Sequence, residues 1–199
     1  MRLILVRHGQ TPSNVIGSLD TVVPGPGLTD LGLAQAAAVP ARLGAEPIEA
    51  IFASTHVRTQ YTAEPLAAAR GLDVQVRAGL RELAAGDLEG RTDPDAVGQF
   101  FEVMTSWIQG DLDAPMPGGE SGREVIDRFD EVAHEIADSG VGTAVAFSHG
   151  GAIRLWAAAR ARNLGSAFPL AGHLGNTGVV ILSGDASGWD CEFWDPAPG

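Results

Sequence analysis

The sequence predicts one α/β domain over residues 1–199, a three-layer α/β/α arrangement in which a mostly parallel mixed sheet lies between two layers of helices. Two patterns lead there: short apolar runs that read as buried strands, and amphipathic stretches of helical length that alternate with them. The runs cover residues 3–6, 50–53 and 143–147 and are almost wholly apolar, as strands covered on both faces are. Helical patterns follow at 29–43 behind a Thr29 cap, at 58–69, at 121–137 after Gly118-Gly119-Glu120, and at 150–161. Strand and helix alternate, so these strands should run parallel. Two closing strands, 178–182 and 189–193, paired around a turn at 184–188, make the sheet mixed. Residues 94–108 predict a further helix with Phe100, Phe101, Met104 and Trp107 along one apolar face, a stripe that reads as core or lid packing. The Pro-Gly-rich stretches 24–27 and 115–119 are loops too short to link domains.

Composition narrows the function. The 199-residue chain is 45% apolar and 19% charged, ordinary for a compact protein, and its apolar runs are too short to cross a bilayer. The N-terminal segment has an apolar run of four residues and no small-residue cleavage site, so a cytoplasmic location is expected. The net charge of −12 argues against nucleic acid or an anionic membrane as partner. Cys191 is the single cysteine, which excludes an internal disulfide and a thiolate zinc cage; it reads as packing in a late strand. All thirteen cationic residues are arginine, which suits bidentate phosphate recognition but is equally explained by coding bias or surface composition.

Two of the apolar runs end alike, one entering Arg7-His8-Gly9 and the other Ser148-His149-Gly150-Gly151. Ligand sites in open α/β sheets lie at the carboxyl ends of strands, so His8 and His149 are candidates for one site. The third run leads into Ser54-Thr55-His56-Val57-Arg58, which places Arg58 in the first turn of a helix at the same sheet edge. Arg7 adds a second guanidinium. Two guanidinium groups and two imidazoles in one crevice form a phosphate cradle.

Arg7-His8-Gly9-Gln10-Thr11-Pro12-Ser13-Asn14 resembles the signature of the histidine phosphatase superfamily, the phosphoglycerate-mutase-like group. Further similar segments follow in order: Leu28-Thr29-Asp30-Leu31-Gly32 with Gln35-Ala36, Ser54 to Arg58 with Gln60 and Thr62-Ala63, Arg81-Glu82 with Gly86-Asp87-Leu88-Glu89-Gly90, Pro117 to Ser121, and Ser148 to Gly151. The resemblance implies the phosphoglycerate-mutase-like fold and a metal-independent, cofactor-free reaction on a small phosphorylated metabolite. In it His8 attacks phosphorus and becomes transiently phosphorylated, while Arg7, Arg58 and His149 hold the non-bridging oxygens. Asn14 and the backbone of Gly150 would add hydrogen bonds to the phosphoryl group. Glu82 occupies the proton-donor position, with Glu89 and Glu120 as competing carboxylates.

The resemblance leaves the outcome between hydrolysis and phosphoryl return open, and hydrolysis is favoured. Cofactor-dependent mutases carry Glu-Arg-His-Tyr-Gly and a longer basic insertion after the acid, whereas this chain has Arg81-Glu82-Leu83-Ala84-Ala85-Gly86-Asp87 followed only by Arg91. A phosphate-binding regulatory module is a third reading, against which the retained Glu82 weighs. His56 stands with Thr55 where the family often has Pro-Leu and is expected to be exposed or at the entrance; His173 is a candidate for substrate contact or packing. The physiological substrate and the oligomeric state are not encoded in a motif.

Overall fold

The computed structural model describes residues 1–165 and 174–195. A six-stranded sheet is formed by β1 (Arg2–Arg7), β2 (Ala50–Ala53), β3 (Val74–Val76), β4 (Thr143–Ser148), β5 (Val179–Asp185) and β6 (Gly188–Asp195), in the spatial order β3-β2-β4-β1-β5-β6. The first four neighbours pair in parallel, and β5 runs antiparallel to both β1 and β6. The mixed, mainly parallel sheet expected from the alternating pattern is thus present. Its central strands β1, β2 and β4 are buried at nearly every position, which is why they read as continuous apolar runs.

Among the described residues six α-helices flank the sheet: α1 (Pro12–Ile16), α2 (Asp30–Arg42), α3 (Val57–Arg70), α4 (Pro94–Ile108), α5 (Gly122–Asp138) and α6 (Gly150–Arg160). The period-two alternation of each strand sorts the core into two halves. Ile4, Val6, Ile51, Ala53, Val145 and Phe147 face α2 and α3 through Val39, Leu43, Ala63 and Leu66. Leu3, Leu5, Phe52, Ala144 and Ala146 face the opposite layer, where α4, α5 and α6 contribute Met104, Trp107, Phe129, Ile153 and Trp156. Thr29 caps α2 by accepting from the Gly32 amide, and Ser121 forms a capping box with Glu124 at the start of α5.

Differences from the sequence expectation lie in short or terminal elements. The closing strands are longer than expected, so the turn between Asp185 and Gly188 shrinks to two residues. Two elements had no counterpart in the expectation. The first is β3, a three-residue edge strand whose alternation is too short to register. The second is α1, a single turn held by reciprocal bonds between Thr11 and Asn14.

Phe129 stacks on Trp156 with ring centroids 4.8 Å apart, and both are buried beneath the sheet. Phe129→Ala removes that ring from a close-packed layer and should cost about 3–5 kcal/mol in equilibrium urea unfolding. A loss below about 1 kcal/mol would show that the layer collapses around the cavity.

Candidate active site

His8 and His149 each follow the last residue of a strand, β1 and β4, which pair in parallel with Arg7 opposite Ser148. The two imidazoles therefore leave neighbouring strand ends, and their rings meet edge-on with centroids 5.2 Å apart. Main-chain bonds fix His8: its amide donates to the Ser148 carbonyl at 3.1 Å, and its carbonyl accepts from the Thr177 amide and Asn176 Nδ2. Nδ1 lies 2.7 Å from the Gly9 carbonyl oxygen. A carbonyl can only accept, so Nδ1 carries the proton and Nε2 keeps its lone pair. Burial foremost, then the charges of Arg58 and Arg7, hold His8 well below the usual imidazole range. His8 is thus neutral near pH 7 with a defined tautomer, the state a nitrogen nucleophile requires.

The loop after His8 is anchored by residues of two other segments. The Gly9 amide donates to Thr62 Oγ1 at 2.9 Å and the Gln10 amide to Gln35 Oε1 at 2.8 Å. A Cβ at Gly9 would stand 2.7 Å from the Gly32 carbonyl oxygen, so this backbone crossing requires glycine.

His149 is fully buried and caps the start of α6. Its Nε2 lies 2.8 Å from Ser54 Oγ, while Nδ1 makes no hydrogen bond among the described residues. Burial and then Arg58 depress its pKa well below the ordinary value, so it too is neutral. The Ser54 hydroxyl can pair with Nε2 in either tautomer of the ring; the tautomer in which Ser54 donates to Nε2 carries the proton on Nδ1, where an anion could accept it.

Arg58 is 3% exposed, in the first turn of α3. Its Nη2 donates to the Asp20 carbonyl at 2.9 Å, whereas Nε and Nη1 make no hydrogen bond among the described residues, the Asp20 carboxylate standing 3.7 Å from Nη1. Arg7 Nη1 donates to the Leu174 carbonyl at 2.7 Å, and its buried Nε is likewise unmatched. Leaving a buried donor unmatched costs about 1–3 kcal/mol, so these groups favour an anion that accepts from them together.

Glu82 approaches the same place from the loop after β3. Its Oε1 accepts from the Leu83 and Ala152 amides at 3.0 and 2.9 Å, and Oε2 accepts from Gly151 at 3.2 Å. A Cβ at Gly151 would come within 2.8 Å of Oε1, so the second glycine after His149 makes room for the acid. Arg128 orients the segment by donating to the carbonyls of Gly79, Arg81 and Glu82 while binding both oxygens of Glu120. The competing carboxylates are thereby assigned elsewhere: Glu120 is paired with Arg128, and Glu89 holds Thr21 and Val22.

Arg7, His8, Asn14, Arg58, Glu82 and Gly150 line one cavity of about 200 Å³, and His149 lies beneath it against His8. Asn14 uses Oδ1 to accept from the Thr11 amide and Asn176 Nδ2, leaving its own amide hydrogens uncommitted among the described residues. The exposure expected for His56 is corrected: the ring is fully buried, donates from Nε2 to the Thr21 carbonyl at 3.0 Å and packs edge-on to His149 at 4.6 Å. The segment carrying Asp20 and Thr21 folds back over the start of α3 and covers it. His173 lies outside the described residues. Sequence reasoning gave no role to Ser54, Gln35, Thr62 or Arg128. The first three stood inside the recognised segments as polar side chains, and that was the available signal; Arg128 had none, because it acts across 46 residues of chain on the Glu82 carbonyl.

Burial, then Arg58, pushes His56 down to about 4 from its ordinary 6.5. Between those values the unfolded chain binds more protons than the folded one, so this group's stabilisation is full above 6.5 and is lost as pH falls toward 4. His56→Leu should remove its share, reducing the stability lost between pH 7 and pH 5 by roughly 2 kcal/mol. Urea unfolding of both proteins at the two pH values measures this, and parallel losses would contradict it.

Comparison with known proteins agrees with this geometry. Residues 3–196 match the model of the histidine phosphatase superfamily (branch 1). The chain is 34% identical to the glucosyl-3-phosphoglycerate phosphatase of Mycobacterium tuberculosis over 209 residues, covering 96% of this chain and 89% of that protein. It is 35% identical to the PE-PGRS family protein PE_PGRS11 of the same species over 97% of this chain, but spans only 36% of that protein's length. The solved structure of the mycobacterial glucosyl-3-phosphoglycerate phosphatase complexed with VO3 superposes with a TM-score of 0.84 at 30% identity, over 98% of this chain and 99% of that one. By sequence and by fold, the chain belongs to the histidine phosphatase superfamily.

Proposed function

We propose that this chain hydrolyses small phosphomonoesters through a phosphohistidine formed on His8. The observation that carries the reading is a neutral, tautomerically fixed His8 beside buried nitrogens of Arg7, Arg58 and His149 that have no hydrogen-bond partner among the described residues. In the first step His8 Nε2 bonds to phosphorus, the ester P–O bond breaks, and the departing oxygen takes a proton from Glu82. In the second, water attacks the phosphohistidine and gives its proton to the Glu82 carboxylate as the P–N bond breaks, releasing phosphate and His8. Arg7, Arg58 and His149, with the Asn14 side chain and the Gly150 amide at the start of α6, hold the three non-bridging oxygens and offset their charge. The two guanidinium groups do locally what the chain's net charge of −12 would otherwise oppose, and the steps as written need no metal. The cytoplasmic location expected from the sequence is part of the same reading, and among the described residues no helix is long and apolar enough to cross a membrane.

Hydrolysis is favoured over isomerisation by the cavity wall. Among the described residues that line it, Arg154 is the one cation beyond Arg7 and Arg58 that could retain a second phosphoryl group. Incubation with 3-phosphoglycerate and a bisphosphoglycerate primer should release free phosphate in excess of 2-phosphoglycerate; the reverse ratio would establish a mutase. The role of Glu82 is tested by its leaving-group dependence. Glu82→Gln should lower turnover of alkyl phosphates by roughly 10²–10⁴-fold and that of activated aryl phosphates much less. Equal losses on both would assign Glu82 another role.

A further inference from the structure

We infer that the alcohol portion of the preferred substrate is apolar and about one ring in size, seated on α4 and selected by Phe101; this rests on the hydrolase reading above. The cavity has two unlike walls beyond the phosphoryl cradle. One is built from the segment 11–21, and its polar groups are already committed to one another. Ser13 donates to Asp20 Oδ2 at 2.5 Å, Thr21 Oγ1 donates to Glu89 and accepts from the Ala85 amide, and Thr11 Oγ1 accepts from the Asn14 amide. Among the described residues lining that wall, the Ser18 hydroxyl and the Asn14 amide hydrogens have no such bond, and the phosphoryl group would take the latter, so a polyhydroxylated alcohol would leave most of its hydroxyls unmatched.

The facing wall consists of Phe100, Phe101 and Met104 of α4, closed by Leu19 and Leu174. Phe100 and Met104 belong to the buried face of the helix, with Ala96, Trp107 and Ile108. Phe101 does not: one residue on, it is turned by about 100° from that face and remains 46% exposed at the cavity rim. Core packing therefore gives no reason for a large aromatic there. Its ring meets Phe100 edge-to-face at 5.7 Å, and the pair offers an aromatic surface to whatever enters. A cavity of about 200 Å³ that must also hold the phosphoryl group has room for a single ring or a short chain.

The test compares two primary alkyl phosphates with similar leaving groups, 2-phenylethyl phosphate and glucose 6-phosphate, so that the chemical step is matched. The wild-type protein should show kcat/KM higher by roughly tenfold or more for the phenylethyl ester, mainly through KM. Phe101→Ser should narrow that ratio by roughly tenfold, whereas Phe101→Leu, which keeps the apolar contact, should retain most of it. Because Phe101 stands at the rim, folding of both variants is checked by their urea midpoints. Glucose 6-phosphate turned over as well as or better than the phenylethyl ester, or a ratio unmoved by Phe101→Ser, would overturn the inference and leave the hydrolase reading standing. Hydrolysis of neither ester by the wild-type protein would overturn both.

Discussion

Two guanidinium groups, Arg58 buried and Arg7 partly so, and two buried, neutral imidazoles meet beside the adjoining ends of β1 and β4, and buried nitrogens of Arg7, Arg58 and His149 have no hydrogen-bond partner among the described residues. Grouping like charges this closely is unfavourable, and Arg58 contributes to the depressed pKa of both His8 and His149. The arrangement persists because each outward atom is tied to backbone: Arg7 to Leu174, Arg58 to Asp20, His8 to Gly9. What remains unmatched is directed to one place, and a tetrahedral anion is the ligand that answers it. Burial, and then the charge of Arg58, keep both imidazoles unprotonated, the state that the proposed role of His8 requires.

Much of the fold serves to hold that edge still. Parallel pairing of β1 with β4 sets the spacing of the two histidines, while the end of the neighbouring strand β2 delivers the Ser54 hydroxyl and the first turn of α3 delivers Arg58. The Gly9 crossing over Gly32 and the bonds that the Gly9 and Gln10 amides donate to Thr62 and Gln35 fix the loop that follows His8. Glu82 arrives on a segment with little regular structure, and Arg128 substitutes for secondary structure by binding the carbonyl groups of Gly79, Arg81 and Glu82 together with the Glu120 carboxylate. Rigid placement of this kind is what separates a proton donor from a surface carboxylate.

The parts legible in the sequence were those with a local signature. Apolar runs marked β1, β2 and β4 because both faces are covered, and Thr29 and Ser121 marked helix starts because a cap is a contact between near neighbours. His8, Arg7, Arg58 and Glu82 were legible because strand ends and short polar segments carry them into one cavity. Residues acting across the chain were not. Arg128 works through distant carbonyls, and His56 is buried only because the segment carrying Asp20 and Thr21 folds over it. The α4 stripe was read as core or lid packing, and in the structure it divides: Phe100, Met104 and Trp107 are core, while Phe101 faces the cavity rim. One helical position separates those two fates, too fine a distinction for periodicity alone.

The central claim is that His8 carries the phosphoryl group between the two steps. Rapid mixing with a phosphorus-labelled ester, followed by denaturing quench and peptide mapping, tests it most directly. The account predicts an acid-labile label on the peptide containing His8, forming before free phosphate accumulates and absent from a folded His8→Ala protein. Undiminished labelling in that variant, or steady turnover by it, would contradict the account.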